Sequence, residues 1–249
     1  MKRVKLVVAY DGTNYCGWQV QKNGETIESV LNRSIGELTG EEIHVMGSSR
    51  TDAGVHACGN VAVFDTEARM AADKFSYALN QRLPEDIRIQ DSCEVPADFH
   101  PRFQKTVKTY EYRILNREFP LPAYRFNSHF TYRKLDVERM RQSAAYLIGE
   151  HDFQSFCAAG AQVKTTVRTI YGLDVEKQGD LIILRITGNG FLYNMVRIIA
   201  GTLMKIGQGD WEPERIPEIL AGCDRQLAGP TAPARGLTLM EIHFKGEKG

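Results

Sequence analysis

The stretch Val4-Lys5-Leu6-Val7-Val8-Ala9 has the apolar, β-branched composition of a strand, and the turn residues Asp11-Gly12 follow it. A helix is predicted next, because Thr26 can cap it and apolar residues recur at helical spacing until Gly40. Further predicted elements are strands over 43–46 and 61–64, a helix over 73–81 and a strand over 87–95. The first half therefore has the order β-α-β-β-α-β.

The second half of the chain repeats this order of elements. The predicted elements are a strand over 107–115, a helix over 136–148, a hairpin of strands over 167–176 and 181–187, helices over 191–206 and 214–220, and a closing strand over 237–244. A β-α-β-β-α-β unit is the ferredoxin-like plan. We therefore expect an α+β protein of two ferredoxin-like halves, residues 1–105 and 106–249. Their antiparallel or mixed sheets are expected to join into one extended sheet around a central basic cleft.

Composition excludes several classes of protein. No apolar run approaches the roughly 20 residues that a membrane span needs. The N-terminus enters a strand at once, so we expect no targeting peptide and a cytoplasmic location. The 5 cysteines are odd in number and form no C-x-x-C pair, which argues against a disulfide framework and a zinc site. Without a glycine-rich phosphate loop, neither a nucleotide cofactor nor a metal is expected.

The formal net charge is zero, but basic residues are concentrated between Phe99 and Arg141, which we call the basic stretch. Its basic residues are Arg102, Lys105, Lys108, Arg113, Arg117, Arg125, Arg133, Lys134, Arg139 and Arg141. Aromatic residues lie between them, as in surfaces that bind phosphates and stack bases. A solvated linker and helix face is the alternative interpretation.

The segment Gly47-Ser48-Ser49-Arg50-Thr51-Asp52-Ala53-Gly54-Val55-His56 joins two predicted strands through a loop too elaborate for a simple hairpin. Asp52 is either a turn residue bound to nearby backbone N–H groups or a nucleophile that Arg50 keeps ionised. His56 is a candidate general base, although a single histidine without a placed partner is more often structural. The segment Tyr10–Gln21 is best interpreted as a structured turn with buried aromatic residues.

Two further segments carry polar residues that packing alone does not explain. On the predicted strand 107–115, Tyr110 and Tyr112 share one face, so Tyr110 either stacks on an extruded base or belongs to the core. Arg197 lies within the apolar run 195–200, where an arginine needs a partner because it is almost never buried unpaired. Asp52 is the partner that we consider first.

These segments, in this order, resemble the tRNA pseudouridine synthase A family, and the resemblance covers nearly the whole chain. The matching segments are Tyr10–Thr13 with Gly17–Gln21, Arg50–Ala57, Phe99–Phe103, Lys108–Tyr112, Gly190–Arg197, Gly201–Leu203 and Ala232–Leu237. So many matches in register are specific to the family.

The resemblance implies a cofactor-free isomerase that converts uridine to pseudouridine in the anticodon stem-loop of tRNA, at tRNA positions 38, 39 and 40. It implies that Asp52 is the nucleophile and that Tyr110 stacks on the base and accepts the proton from carbon 5. Arg50 matches an arginine that helps extrude the base, and Arg197 matches one that pairs with the aspartate. The resemblance also implies a homodimer in which each tRNA contacts both subunits.

The chain departs from the family pattern at Ser48-Ser49, Asn60 and Pro101, which leaves the detail of the Asp52 loop open. A non-catalytic RNA-binding module of ferredoxin-like fold is the main alternative function. A nucleoside hydrolase is a second alternative, but that chemistry uses two carboxylates beside the bond. Asp52 alone stands out in these loops, with Asp11 the nearest second candidate.

Overall fold

The computed structural model describes residues 1–160 and 163–244. The chain divides into two compact units: the first comprises residues 1–105 together with the chain from Leu239 onward, and the second comprises residues 106–238. Helices and strands occur in both, so the protein is α+β. Within the described residues, no helix is both long and apolar enough to cross a membrane.

The first unit follows the predicted β-α-β-β-α-β order. Its elements are β1 (Lys2–Tyr10), α1 (Ile27–Thr39), β2 (Met46–Gly47), β3 (His56–Thr66), α2 (Phe75–Asn80) and β4 (Ile87–Val95). Strand β1 pairs antiparallel with both β3 and β4, and β2 pairs antiparallel with β3. Val4, Leu6 and Val8 of β1 are fully buried, so one face of the strand belongs to the core.

Both predicted ends of α1 are confirmed. The Thr26 hydroxyl accepts a hydrogen bond from the Ser29 N–H, and the Ser29 hydroxyl accepts one from the Thr26 N–H, which forms a capping box. Gly40 ends the helix with a left-handed φ of 76°, and its N–H donates to the Gly36 carbonyl.

The second unit has two short strands that the sequence did not predict. Its elements are β5 (Thr106–Asn116), β6 (His129–Thr131), α3 (Val137–Ala145), β7 (Gly149–Asp152), β8 (Val167–Gln178), β9 (Leu181–Gly188), α4 (Met195–Gly207) and α5 (Arg215–Gly222). Strand β9 pairs antiparallel with β5 and β8, and β7 pairs antiparallel with β8. Because β6 pairs parallel with β5, the sheet is mixed. Strands β6 and β7 are too short to show a clear alternation.

The closing strand β10 (Leu237–Phe244) was predicted to belong to the second half, but its residues from Leu239 onward belong to the first unit. Gly59 of β3 allows the close approach of β10, because a Cβ at Gly59 would lie 2.8 Å from the Met240 carbonyl oxygen. The Phe244 ring packs edge-on against Phe99 at 5.2 Å.

Several element boundaries differ from the sequence predictions, and three of the differences have an evident structural cause. The predicted strand 43–46 is reduced to β2, because the Val45 N–H is bound to the side chain of Asn32 and not to a strand. The predicted strand 61–64 extends to the whole of β3, which makes His56 a strand residue. The predicted helix 191–206 begins at Met195, because Asn194 has a left-handed φ of 60°.

Candidate active site

The Asp52 loop, residues 47–55, is supported by the segment Tyr10–Gln21. The Trp18 N–H donates to the Thr51 carbonyl at 3.0 Å. Gly17 has a φ of 89°, and a Cβ there would lie only 2.5 Å from the same Thr51 oxygen. The structured-turn interpretation of Tyr10–Gln21 is confirmed, and the turn fixes the residue next to Asp52.

Asp52 begins a tight turn that is closed by the backbone. The Val55 N–H donates to the Asp52 carbonyl at 3.1 Å, and Gly54 has a left-handed φ of 77°. The Asp52 side chain is half-buried. The main chain therefore closes the turn at this point.

The expected contact of Arg50 with Asp52 is absent. Arg50 is exposed and forms no hydrogen bond or ion pair with any residue of the described ranges. It lies instead near Arg102, whose Nε donates to the Gly47 carbonyl at 2.8 Å. Partial desolvation lowers the pKa of Arg102, and repulsion from Arg50 lowers it further. Two neighbouring positive charges, those of Arg50 and Arg102, therefore lie at the loop. Arg102 is a further candidate site residue.

The positions that depart from the family pattern lie together behind the Asp52 loop. The fully buried Asn60 side chain accepts from the Ser49 N–H at 3.3 Å and donates to the Ser49 carbonyl at 3.0 Å. It also donates to the Tyr10 hydroxyl at 3.2 Å. The Ser48 hydroxyl donates to the Pro101 carbonyl at 3.0 Å. These hydrogen bonds hold Ser48 and Ser49 at the start of the loop.

His56 belongs to the scaffold of the loop and not to an open catalytic position. Its buried ring accepts the Gly12 N–H at Nδ1, at 3.1 Å, and the Asp11 carboxylate lies 3.1 Å from the same nitrogen. Burial raises the pKa of Asp11, but the hydrogen bonds from Thr13 and the neighbouring His56 ring outweigh it, so the pKa lies below its usual value. These contacts favour the structural interpretation of His56. Asp11 stabilises the same turn, since it accepts the Thr13 N–H.

Tyr110 of β5 is almost buried, with 8% of its surface exposed. Its ring meets the Phe191 ring edge-on, with centroids 5.2 Å apart and planes at 84°. Phe191 lies in the segment Gly190–Arg197 that resembles the family, but the sequence predicts no role for its ring. The contact identifies Phe191 as the residue that orients the Tyr110 ring.

Arg197 lies in the first turn of α4 and is held at two of its nitrogens. Its Nε donates to the Ala232 carbonyl at 2.7 Å, and one Nη donates to the Asn194 side chain at 2.8 Å. The segment that carries Ala232 lies close along α4, because a Cβ at Gly201 would lie 1.8 Å from the Pro230 oxygen. These contacts fix the direction of the guanidinium.

Half of the basic stretch is already paired with carboxylates. The ion pairs are Arg113–Glu111 at 3.1 Å, Arg117–Asp180 at 3.3 Å, Arg133–Asp210 at 2.6 Å, Arg139–Glu212 at 3.0 Å and Arg141–Glu138 at 3.3 Å. Hydrogen bonds from Arg133 and Lys205 lower the pKa of Asp210 to about 2. The basic stretch therefore offers fewer charges to a nucleic acid than its composition indicates.

The glycine-rich turns do not form an open cradle for a cofactor phosphate. The space beside Gly12 is occupied by the Val55 backbone, and the space beside Gly17 by the Thr51 backbone. In the part of the chain that the structure describes, no group of three or more His, Cys, Asp or Glu side chains is arranged to bind a metal.

Substitution of Gly17 by Ala is expected to lower activity more than stability alone explains. The added Cβ pushes on Thr51, and a displacement of about 1 Å at a reacting group costs about 10²-fold in rate. Gly40→Ala is the matched control, because Gly40 has a similar φ of 76° but no atom within 4 Å of the added Cβ. Thermal melting and turnover of both variants check the prediction. Equal turnover in the two would show that the contact does not position Asp52.

The chain is similar to known proteins over nearly its whole length. A family model described as tRNA pseudouridine synthase matches residues 6–104 and 143–245. The tRNA pseudouridine synthase A of Acetivibrio thermocellus is 48% identical over 244 residues, which cover 98% of this chain and 100% of that protein. Those of Ruminiclostridium cellulolyticum and Brevibacillus brevis are 49% and 50% identical, each over 98% of this chain and 100% of the relative. The chain therefore belongs to the tRNA pseudouridine synthase family.

Proposed function

We propose that this protein isomerises uridine to pseudouridine in tRNA and that Asp52 is its reactive group. The observation that carries the proposal is the full-length similarity to tRNA pseudouridine synthases A, at 48–50% identity. The rigid support of the Asp52 loop is consistent with it, because catalytic groups need a fixed position.

The finer parts of the proposal concern substrate position and assembly. We infer action on the anticodon stem-loop, at tRNA positions 38, 39 and 40, by a cytoplasmic homodimer. We also infer that each half of the chain is ferredoxin-like. The antiparallel pairing of β4 with β1, β1 with β3 and β3 with β2 supports this for the first unit.

The reaction requires that the target base leave its stack. An enzyme cannot reach the glycosidic bond inside a duplex, so the nucleotide is flipped out at a cost of a few kcal/mol. The N1–C1′ bond then breaks, the uracil turns, and C5 bonds to C1′. The C5 proton is lost and N1 gains a proton, so the product is an isomer of the substrate.

The proposed role of Asp52 is to assist the cleavage of the N1–C1′ bond. Its carboxylate can attack C1′, add to C6 of the ring, or take the C2′ proton to give a glycal. Each route uses one carboxylate in its ionised form. All three predict that an amide at this position fails.

The other proposed site residues bind the substrate. Tyr110 stacks on the extruded base, with Phe191 supporting its ring. Arg50 is exposed and helps extrude the base by binding the phosphate backbone. The fixed positive charge of Arg197 binds the substrate and favours the ionised form of the catalytic carboxylate.

The affinity for tRNA is expected to fall with salt despite the zero net charge. About four phosphate contacts would give about a 10²-fold loss of affinity between 50 and 200 mM salt. Ion pairs occupy five arginines of the basic stretch, which leaves at most five of its ten basic residues for phosphate, so we expect about four contacts and not ten. Binding titrations at several salt concentrations measure the slope. An affinity that does not change with salt would exclude phosphate binding by these residues.

Release of tritium from tRNA that carries uridine labelled at C5 tests the proposed reaction. The isomerase replaces the C5 hydrogen with C1′, so tritium appears in water. A non-catalytic RNA-binding module releases none. A nucleoside hydrolase releases free labelled uracil instead, and either of these results would refute the proposal.

A further inference from the structure

The turn His100–Phe103 exposes an aromatic surface that the fold does not use. Phe103 is 82% exposed, so its ring is accessible to a ligand. It stacks on the His100 ring, with centroids 4.1 Å apart and planes inclined by 22°. The exposed Phe103 ring, stacked on the half-buried His100 ring, presents a flat outer face. We call this pair of rings the His100–Phe103 platform.

The platform is fixed relative to the Asp52 loop. Arg102 lies between its two rings in sequence and binds the Gly47 carbonyl at the start of the loop, at 2.8 Å. The Pro101 carbonyl accepts from Ser48 at 3.0 Å. Within the turn, the Phe103 N–H donates to the His100 carbonyl at 3.1 Å. The rings are therefore tied to the segment that carries Asp52.

The charge around the platform favours an anionic partner. Arg102 and Arg50 lie close enough for their charges to repel, and the charge of Glu28 acts on Arg102 in the opposite direction. Like charges repel when they are left unpaired, so a phosphate between them would relieve the repulsion. A flat aromatic surface beside two arginines matches the two chemical parts of a nucleotide, its base and its phosphate.

We propose that the His100–Phe103 platform stacks on an unpaired base next to the target uridine, while Arg102 and Arg50 bind the adjoining phosphates. This inference rests on the proposed function. Extrusion of the target uridine leaves its neighbouring base without a stacking partner on one side. Phe103 is thus a positioning residue that holds the flanking nucleotide.

Kinetics of Phe103→Leu on an unmodified tRNA transcript test the proposal. We expect KM to rise at least about fivefold with little change in kcat, because base stacking on an aromatic ring is lost equally in ground and transition states. Phe103→Trp should restore the wild-type KM. Tyr77→Leu is the control, because Tyr77 is also a strongly exposed aromatic residue (71%) of the first unit. An unchanged KM in Phe103→Leu, or an equal rise in Tyr77→Leu, would overturn the proposal.

Binding experiments separate this inference from the proposed function. A fluorescent 2-aminopurine placed beside the target uridine should be quenched by wild-type protein and by Phe103→Trp, but less by Phe103→Leu. This measurement needs no turnover, so it decides the stacking even if the protein isomerises nothing. If Phe103→Leu instead converts a dimer into a monomer in light scattering, the ring is a subunit contact and the proposal is wrong.

Discussion

Replacement of Asp52 by Asn should abolish pseudouridine formation and leave the fold and the tRNA affinity intact. The turn at Asp52 is closed by its backbone carbonyl, and Gly17 and Trp18 hold the neighbouring Thr51, so the loop keeps its shape. An amide cannot act as a nucleophile or a base. We expect kcat/KM to fall more than about 10³-fold, which corresponds to about 4 kcal/mol of transition-state stabilisation.

Asp11→Asn is the matched control for Asp52→Asn. Asp11 is a carboxylate of the same unit that caps a turn, since it accepts hydrogen bonds from Thr13. Its replacement should lower the melting temperature slightly and leave most of the turnover. Turnover of Asp52→Asn above about a tenth of wild type, against the loss expected when a catalytic carboxylate is removed, would exclude Asp52 as the reactive group.

Tyr110→Phe is expected to have the second largest effect, a loss of about 10²-fold in kcat with tRNA binding retained. We propose that the Tyr110 hydroxyl also accepts the C5 proton, and the expected loss has the size of a missing proton-transfer group. The new ring keeps the edge contact with Phe191, so stacking on the base persists. Single-turnover rates at saturating protein separate the chemical step from binding.

Tyr112→Phe provides the comparison for Tyr110→Phe. Tyr112 is fully buried on the same strand, and its hydroxyl donates to the Pro233 carbonyl at 2.9 Å. Loss of that hydrogen bond should cost about 1 kcal/mol of unfolding free energy and little activity. Wild-type turnover in Tyr110→Phe would remove its hydroxyl from the mechanism.

The order of the elements was predictable because each carries a local signal. An apolar, β-branched run indicated β1, alternation indicated β5, and a hairpin pattern indicated β8 and β9. The cap Thr26 and the stop Gly40 bounded α1. Strand β2 was misplaced because Val45 is buried like a strand residue, but its N–H binds the Asn32 side chain and not a neighbouring strand. Apolar character alone cannot distinguish a buried loop residue from a strand residue. The start of α4 was predicted too early for a similar reason. Asn194 has a left-handed backbone that precedes the helix, and the pattern of apolar residues gives no sign of it.

The residues of the candidate site could be predicted from the sequence, but the contacts that they make could not. Arg50 stands two positions before Asp52, yet proximity along a chain does not determine the direction of a side chain, and Arg50 lies beside Arg102 instead. The basic stretch looked free because its acidic partners Asp180, Asp210 and Glu212 come from distant parts of the sequence. Long-range pairing of this kind leaves no periodic pattern to detect.

Pseudouridine mapping in an unmodified tRNA transcript tests the central claim most directly. The transcript is incubated with the purified protein and no added cofactor, derivatised to label pseudouridine, and analysed by mass spectrometry of its fragments. We predict pseudouridine in the anticodon stem-loop, at positions 38, 39 or 40, with wild-type protein and none with Asp52→Asn. A transcript that remains unmodified by wild-type protein, or that is modified equally by both proteins, would contradict the account.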